Sequence, residues 1–370
     1  MKLTKYSNYM KEIIELTKKM VEFESTDGNY FEQKKCAEFI KNYLSQHGYV
    51  KVIEHNKVFS IIATYKPTKT PELFITGHFD VVPAEKEQFK PKIKGNNLYG
   101  RGALDMKIGL AISMVLFKEF AKQKPDFGLI FTSDEEIGGA NGIGYIVTQG
   151  YKPKFALSPE SYNGNNPKDI NIIVKEKGVT WLRLISYGKS AHASRLWEGE
   201  NAIEKAIDAF IRFKKNFSET TKNNRWKTTM NLSIIKGGNA QNQVPDKVEL
   251  WVDIRRTEDL SDKYIIKQAK KEFDEVDVIE SEPMLMNDSN NQYIQALKKA
   301  SEKVCDGKVF LVDYPGASDV RYFNSELGVP AVDFGTIGDN IHGPNEYANL
   351  YTAEKIYQAL KIFIENEISK

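Results

Sequence analysis

Cysteine is nearly absent from this chain. Its two thiols, Cys36 and Cys305, lie far apart, with no CxxC pair and no histidine at ligand spacing beside either. That excludes a disulfide framework and a cysteine-built zinc site, and both read as reduced, buried thiols. Any metal must then be held by histidine and carboxylate, and histidine is scarce too, with five in 370 residues. Long apolar runs are missing: no segment approaches the roughly 20 residues of a membrane span. The first twenty residues, MKLTKYSNYMKEIIELTKKM, form a charged amphipathic pattern without the apolar core of a signal peptide. A surplus of one charge is also missing, with 52 Lys and Arg against 50 Asp and Glu. No basic run interleaves with aromatics, which argues against a nucleic-acid partner. The expectation is a cytoplasmic protein with neither membrane nor nucleic acid as partner.

What is present is ordinary globular material, 41% apolar and 28% charged, in a chain whose length suits two domains or one domain carrying an insertion. Up to about Glu160, helical patterns such as EQKKCAEFIKNYLSQHG and KIGLAISMVLFKEFAKQ alternate with strand-like runs such as SIIATY, ELFITG, GLIFTS and KFALSP. That alternation predicts an α/β domain with a mostly parallel sheet, whose ligands gather at the carboxyl ends of the strands. After about Lys177 the pattern changes. VTWLRLISYG, NAIEKAIDAFIRFKKNF, TTMNLSIIKGG, KVELWVDIRR, SDKYIIKQAKKEFDE and VDVIES follow one another as β-α-β-β-α-β, the order of a small ferredoxin-like α+β unit. The α/β style resumes after about Asp288. The predicted organisation is a domain formed by 1–177 and 288–370, interrupted by a smaller one over 178–287.

The chemistry-bearing residues stand where apolar runs end. In FITGHFDVVP, His78 and Asp80 are two apart, so in an extended segment they share a face. Read alone, they are a satisfied histidine and a turn-forming aspartate. Read functionally, His78 binds a metal through one ring nitrogen while Asp80 accepts the proton on the other. YGRGALDMKIG sets Asp105 just before a helix, where an N-cap is the plain alternative. FTSDEEIGG brings Glu135 and Glu136 side by side. Ser133 and Glu136 fit a capping box, yet adjacent carboxylates repel unless a cation or a proton relieves them. KFALSP leads into Glu160, and TIGDNIHGPNEY places His342 in a Gly/Pro-rich loop. Each has a bland explanation; together they point to one polar site on the sheet's edge.

GHFDVVP, YGRGALDMKIG, TSDEEIGG, SPES, GKSAH, NQVPD and IHGPNEY occur in an order that resembles the M20 metallopeptidase family. That family includes acetylornithine deacetylase, succinyl-diaminopimelate desuccinylase and aminoacylase-like enzymes. The resemblance implies a catalytic domain interrupted by a lid and dimerisation domain, and a site for two divalent ions, normally zinc, with cobalt or manganese as alternatives. Asp105 would bridge the ions, with His78 and Glu160 completing one and Glu136 and His342 the other. Glu135 would be the general base and acid, acting on a metal-activated water, and Asp80 the partner of His78. It implies a cis peptide bond after Asp105. His192, in GKSAHASRLWEG, would stabilise the oxyanion across a homodimer joined through the lid; the proline expected soon after it is absent here. Asn242, Arg255, Gly316 and Ser318 would hold a small substrate carrying a carboxylate, although a surface ion pair with Asp253 also accounts for Arg255. The implied reaction is hydrolysis of an amide bond in a small N-acyl amino acid or short peptide. A deacylase of the first two kinds is favoured, although SPESYNG departs from their usual segment. A dipeptidase or carboxypeptidase is the alternative, and a non-catalytic amino-acid-binding relative a further one.

Overall fold

The computed structural model describes residues 6–164, 166–221 and 223–369. These fall into two compact units. One comprises Met1–Lys175, Leu285–Val312 and Ser318–Lys370, the other Glu176–Met284 and Asp313–Ala317.

In the first unit, short apolar runs become fully buried strands. Leu73–His78 lies between Phe127–Thr132 and Phe155–Ser158, parallel to both. Ala331–Asp333 continues the parallel set beside Phe155–Ser158. The complete nine-stranded sheet is mixed, which corrects the expectation of a mostly parallel one. At one edge Tyr49–His55 and Val58–Thr64 form a hairpin, and the second of these runs antiparallel to Phe127–Thr132. Its two turn residues, Asn56 and Lys57, both have positive φ, 49° and 67°, the geometry that matches the twist of paired strands. Towards the other edge Ile170–Glu176 pairs antiparallel with Ala331–Asp333. These three parallel pairings lie in the middle of the sheet, where helices supply the crossovers.

Helix Ile108–Glu119 buries Ile108 through Phe117 without interruption, as expected of a helix that is apolar all round and lies within the core. It runs so close to the end of the Phe155–Ser158 strand that a Cβ on Gly109 would come within 2.5 Å of the Pro159 carbonyl oxygen. Asn8–Val21, Tyr30–Leu44 and Leu350–Phe363 are amphipathic and contribute to the same core.

A second, five-stranded sheet of short strands carries the polar loops. Asn97–Tyr99 pairs antiparallel with Tyr347–Asn349, which pairs antiparallel with Ile337–Asp339. The segment leaving the first of these strands leads to Asp105, and the loop between the other two contains His342. Two stretches far apart in the chain are thereby brought side by side.

The second unit has four antiparallel strands in the spatial order Thr229–Gly237, Lys247–Arg256, Gly178–Tyr187, Glu275–Glu282. Helices Ala202–Lys214 and Asp262–Glu272 share a core with the alternate residues Leu182, Leu184, Val248, Leu250, Val252 and Ile254, the period of two expected of strands with one buried face. Of the two cysteines, Cys36 is buried, while Cys305 is only partly so.

Candidate active site

The carboxyl ends of three parallel strands deliver His78, the Glu135–Glu136 pair and Glu160, while Asp105 and His342 come from loops of the five-stranded sheet. His78 ends its strand fully buried, and its Nε2 lies 3.1 Å from Asp105 Oδ1 and 3.6 Å from Glu160 Oε2. On the far side of Asp105, Oδ2 is 3.2 Å from His342 Nε2, which is also 3.1 Å from Glu136 Oε2. Two potential ligand groups result, His78–Asp105–Glu160 and Asp105–Glu136–His342, with Asp105 common to both. Glu135 belongs to neither, although its Oε2 stands 3.8 Å from His78 Nε2.

Local structure explains why these side chains are free to converge. The Asp105–Met106 peptide is cis, and the helix that follows takes no side-chain cap, so Asp105 does not serve as the N-cap its position suggests. Ser133 does not form a capping box either, because its Oγ accepts the Phe59 amide at 3.0 Å. Asp80 supports the site from behind. Its carbonyl oxygen lies 3.2 Å from His78 Nδ1 and its Oδ1 3.3 Å from the same nitrogen, while Oδ2 accepts the Glu136 amide at 3.0 Å.

Several supports were not singled out in the sequence. Glu346, Arg101 and Lys107 are buried charges. Lys107 Nζ donates to the Met20 and Phe23 carbonyls and to Ser25 Oγ, and Ser25 Oγ donates to the carbonyl of Phe79, next to His78. Helix Val320–Leu327 grips the turn after Glu136. Arg321 Nη2 and Tyr322 Oη both donate to the Gly138 carbonyl, at 3.1 and 2.7 Å. Asp319, 4% exposed, has no hydrogen-bond partner on either carboxylate oxygen among the described residues. The available signal was a charged residue embedded in glycine-rich or apolar sequence, as in YGRGALDMK and IHGPNEY.

Electrostatics follow from crowding acids in a dry place. Burial pushes the Glu135 carboxyl up to about 8, with Glu136 and Asp105 adding to the rise and His78 opposing it. Glu136 and Glu160 are raised for the same leading reason. Burial acts on Asp105 in the same direction, but hydrogen bonds to His342 and His78 hold it well below the usual range. His342 is raised to about 10 by its bonds to Asp105 and Glu136. Two imidazoles and three carboxylates fit divalent ions in number and kind. The raised carboxyls are those a cation would return to their charged form.

The remaining expected residues make other contacts. In the second unit His192 is exposed, its Nδ1 2.9 Å from Ser194 Oγ, on a short strand paired with Gln243–Val244. Asn242 adjoins it, its carbonyl accepting the Ala193 amide at 2.9 Å. Arg255 pairs with Asp253 at 3.0 Å, and a Cβ on Gly316 would meet the Tyr314 ring. Ser318, in the first unit, is buried with its Oγ 2.9 Å from Asp333 Oδ1.

A carboxylate and imidazole cluster at the ends of parallel strands is the apparatus of a metal-dependent hydrolase. The chain belongs to peptidase family M20/M25/M40, whose model matches residues 74–366; it is a hydrolytic enzyme of a metallopeptidase family. A succinyl-diaminopimelate desuccinylase of a Nitratiruptor species is 25% identical over 368 residues, covering 96% of this chain and 100% of the relative. The M20 family metallo-carboxypeptidase Sso-CP2 from Sulfolobus solfataricus has a similar fold, with a TM-score of 0.78 at 18% identity, covering 97% of this chain and 99% of that one. Aminopeptidase PepT from Bacillus cereus ATCC 10987 gives 0.76 at 19% identity, covering 98% and 99%. Among the described residues no helix is long and apolar enough to cross a membrane.

Proposed function

We propose that the chain hydrolyses the amide bond of a small N-acyl amino acid, with Glu135 as general base and then general acid. The observation that carries this reading is the position of Glu135: a partly buried carboxyl beside two ligand groups and outside both, raised to about 8. That raised value belongs to the metal-free site; cations held beside it would favour the carboxylate, which can then take a proton from the attacking water and return it to the leaving nitrogen. Asp105 would be shared by two divalent ions, zinc being the one this donor set suits best, with His78 and Glu160 on one and Glu136 and His342 on the other. Such ions polarise a scissile carbonyl and acidify water. Asp80 orients His78 and the Glu136 backbone from behind.

The second unit acts in this proposal as a ferredoxin-like lid through which two copies pair, His192 reaching the partner's site to bind the developing oxyanion. Asn242 and Arg255 hold the substrate, Arg255 exchanging Asp253 for a substrate carboxylate; the Gly316–Ser318 segment offers backbone N–H groups to the same carboxylate. A cytoplasmic location completes the proposal. The desuccinylase relatives favour a deacylase. The peptidases among the structural neighbours support a second reading, a dipeptidase or carboxypeptidase using the same residues.

The test is hydrolysis by the metal-loaded protein of N-succinyl-diaminopimelate, N-acetyl-ornithine, other N-acyl amino acids and simple di- and tripeptides, with Glu135→Ala as control. Preferential turnover of an N-acyl amino acid that disappears in Glu135→Ala is expected. Preferential turnover of peptides establishes the second reading instead. Hydrolysis by Glu135→Ala at an undiminished rate refutes the assignment of the base.

A further inference from the structure

The two ligand groups are not built alike. His78 ends a buried strand and is fixed by packing on every side, whereas the His342 side chain is 51% exposed and stands in a loop. That loop also has an unusual backbone. Asn340, His342 and Asn345 all have positive φ, 61°, 60° and 62°, a region that residues with a Cβ rarely occupy unless their surroundings hold them there. Something besides packing must therefore keep the His342 imidazole beside Asp105.

The contacts around Glu346 supply it. Glu346 is 1% exposed. Its Oε1 accepts the amides of Leu104 and Asp105 at 3.0 and 3.1 Å; Oε2 accepts the Gly102 amide at 3.1 Å and Arg101 Nη1 at 2.5 Å. Four donors occupy the four acceptor positions a carboxylate offers. The other arm of Arg101, Nη2, donates to the carbonyls of His342 at 2.9 Å and Gly343 at 3.2 Å. One buried carboxylate thus holds the backbone that carries Asp105, and its guanidinium partner holds the backbone that carries His342.

We infer that Arg101 and Glu346 are positioning residues that set the His342 loop against Asp105 and so assemble the Asp105–Glu136–His342 metal position. A buried ion pair is by itself weak evidence of a stabilising role. Here the pair touches the peptide groups of two ligands and neither ligand side chain, so its effect falls on their geometry. The inference rests on the two-metal reading and adds an asymmetry: loss of the Arg101 arm, which reaches the His342 loop, loosens one metal position far more than the other.

The experiment is Co2+ titration of the metal-free full chain, followed by absorbance and by bound-metal analysis, for the parent, Arg101→Met, Arg101→Lys, His342→Ala and the two Arg101 variants combined with His342→Ala. Lysine keeps a positive charge for Glu346 but lacks the second arm of the fork, so Arg101→Lys carries the test if Arg101→Met does not fold. The expected result is about 10–100-fold weaker binding of one of two ions in the single Arg101 variants, with the other ion within about threefold and far-ultraviolet circular dichroism unchanged. In the His342→Ala background the Arg101 substitutions should have no further effect, because they act through that histidine. Parental affinity for both ions in Arg101→Lys, or additive losses in the double variant, overturns the inference. A parent chain that binds no pair of ions refutes the two-metal reading. The clamp is then judged by hydrogen exchange of the 340–346 amides in metal-free protein, expected to be at least about tenfold faster in Arg101→Lys; unchanged exchange refutes it.

Discussion

Asp80 accepts the backbone amide of Glu136 at 3.0 Å while lying against the ring of His78. One carboxylate therefore touches a residue from each of the two ligand groups. Asp80→Ala should weaken binding of both ions by about 10–100-fold, as read by titration of metal-free protein. Asp80→Asn should fall between Ala and the parent, since an amide oxygen can still accept the Glu136 N–H. Unchanged affinity in Asp80→Ala would show that the imidazole and the turn hold their places without it.

Gly139 has φ +69°, and a Cβ placed there would come within 2.0 Å of Asp319 Oδ1. Gly139→Ala therefore combines a left-handed backbone, costing about 1–2 kcal/mol, with a clash against a buried side chain. The expectation is a marked fall in Tm. Adding Asp319→Ala should restore part of the loss and leave the backbone share in place, so the pair of substitutions is non-additive. Strict additivity in thermal denaturation would place the strain elsewhere.

Lys107 contributes through what it donates to. Lys107→Met keeps the apolar stem but removes the Nζ donor from the Phe23 carbonyl, at about 1–3 kcal/mol for a buried group left unsatisfied, while the Met20 carbonyl keeps the Phe23 amide at 3.2 Å. Denaturant midpoints should fall accordingly. Metal affinity should change less than in Asp80→Ala.

Metal-free protein should lose stability as pH rises. Glu135 binds its proton up to about 8 in the folded chain against an ordinary 4.5, and His342 up to about 10 against 6.5. A raised folded-state value means the folded chain holds protons the unfolded chain has released. The contribution of Glu135 is complete below its unfolded value and lost as pH passes about 8; that of His342 is lost as pH approaches about 10. Tm of the metal-free protein is expected to fall between pH 5 and pH 9, by roughly 5 °C or more. Saturating zinc should flatten or reverse the trend, because binding displaces those protons. A Tm that rises with pH in the absence of metal would contradict the assigned directions.

The parts legible in the sequence were those written locally. His78, Glu136 and Glu160 follow apolar strand-like runs, so their gathering could be argued from strand ends, whereas Asp105 before a helix and His342 in a loop were tied to them by the resemblance to the M20 family. Long helices such as Leu350–Phe363 were legible from periodicity. The antiparallel hairpin at the sheet edge was not. Tyr49–His55 leaves most side chains partly or fully exposed, and an Asn-Lys turn lacks the glycine that usually announces positive φ at both positions. The roles of Arg101 and Glu346 were hidden for another reason. Their partners are backbone amides and carbonyls, which every residue has, so no side-chain pattern marks them.

The five convergent residues also carry information about the order of events in making the protein. His78, Asp105, Glu136 and Glu160 precede the second unit in the sequence, and His342 follows it. During synthesis the first ligand group can gather early, yet the second is incomplete until the intervening second unit has been made. Contacts of such wide sequence separation form late. On the two-metal reading, a chain shortened before His342 is expected to hold at most one ion.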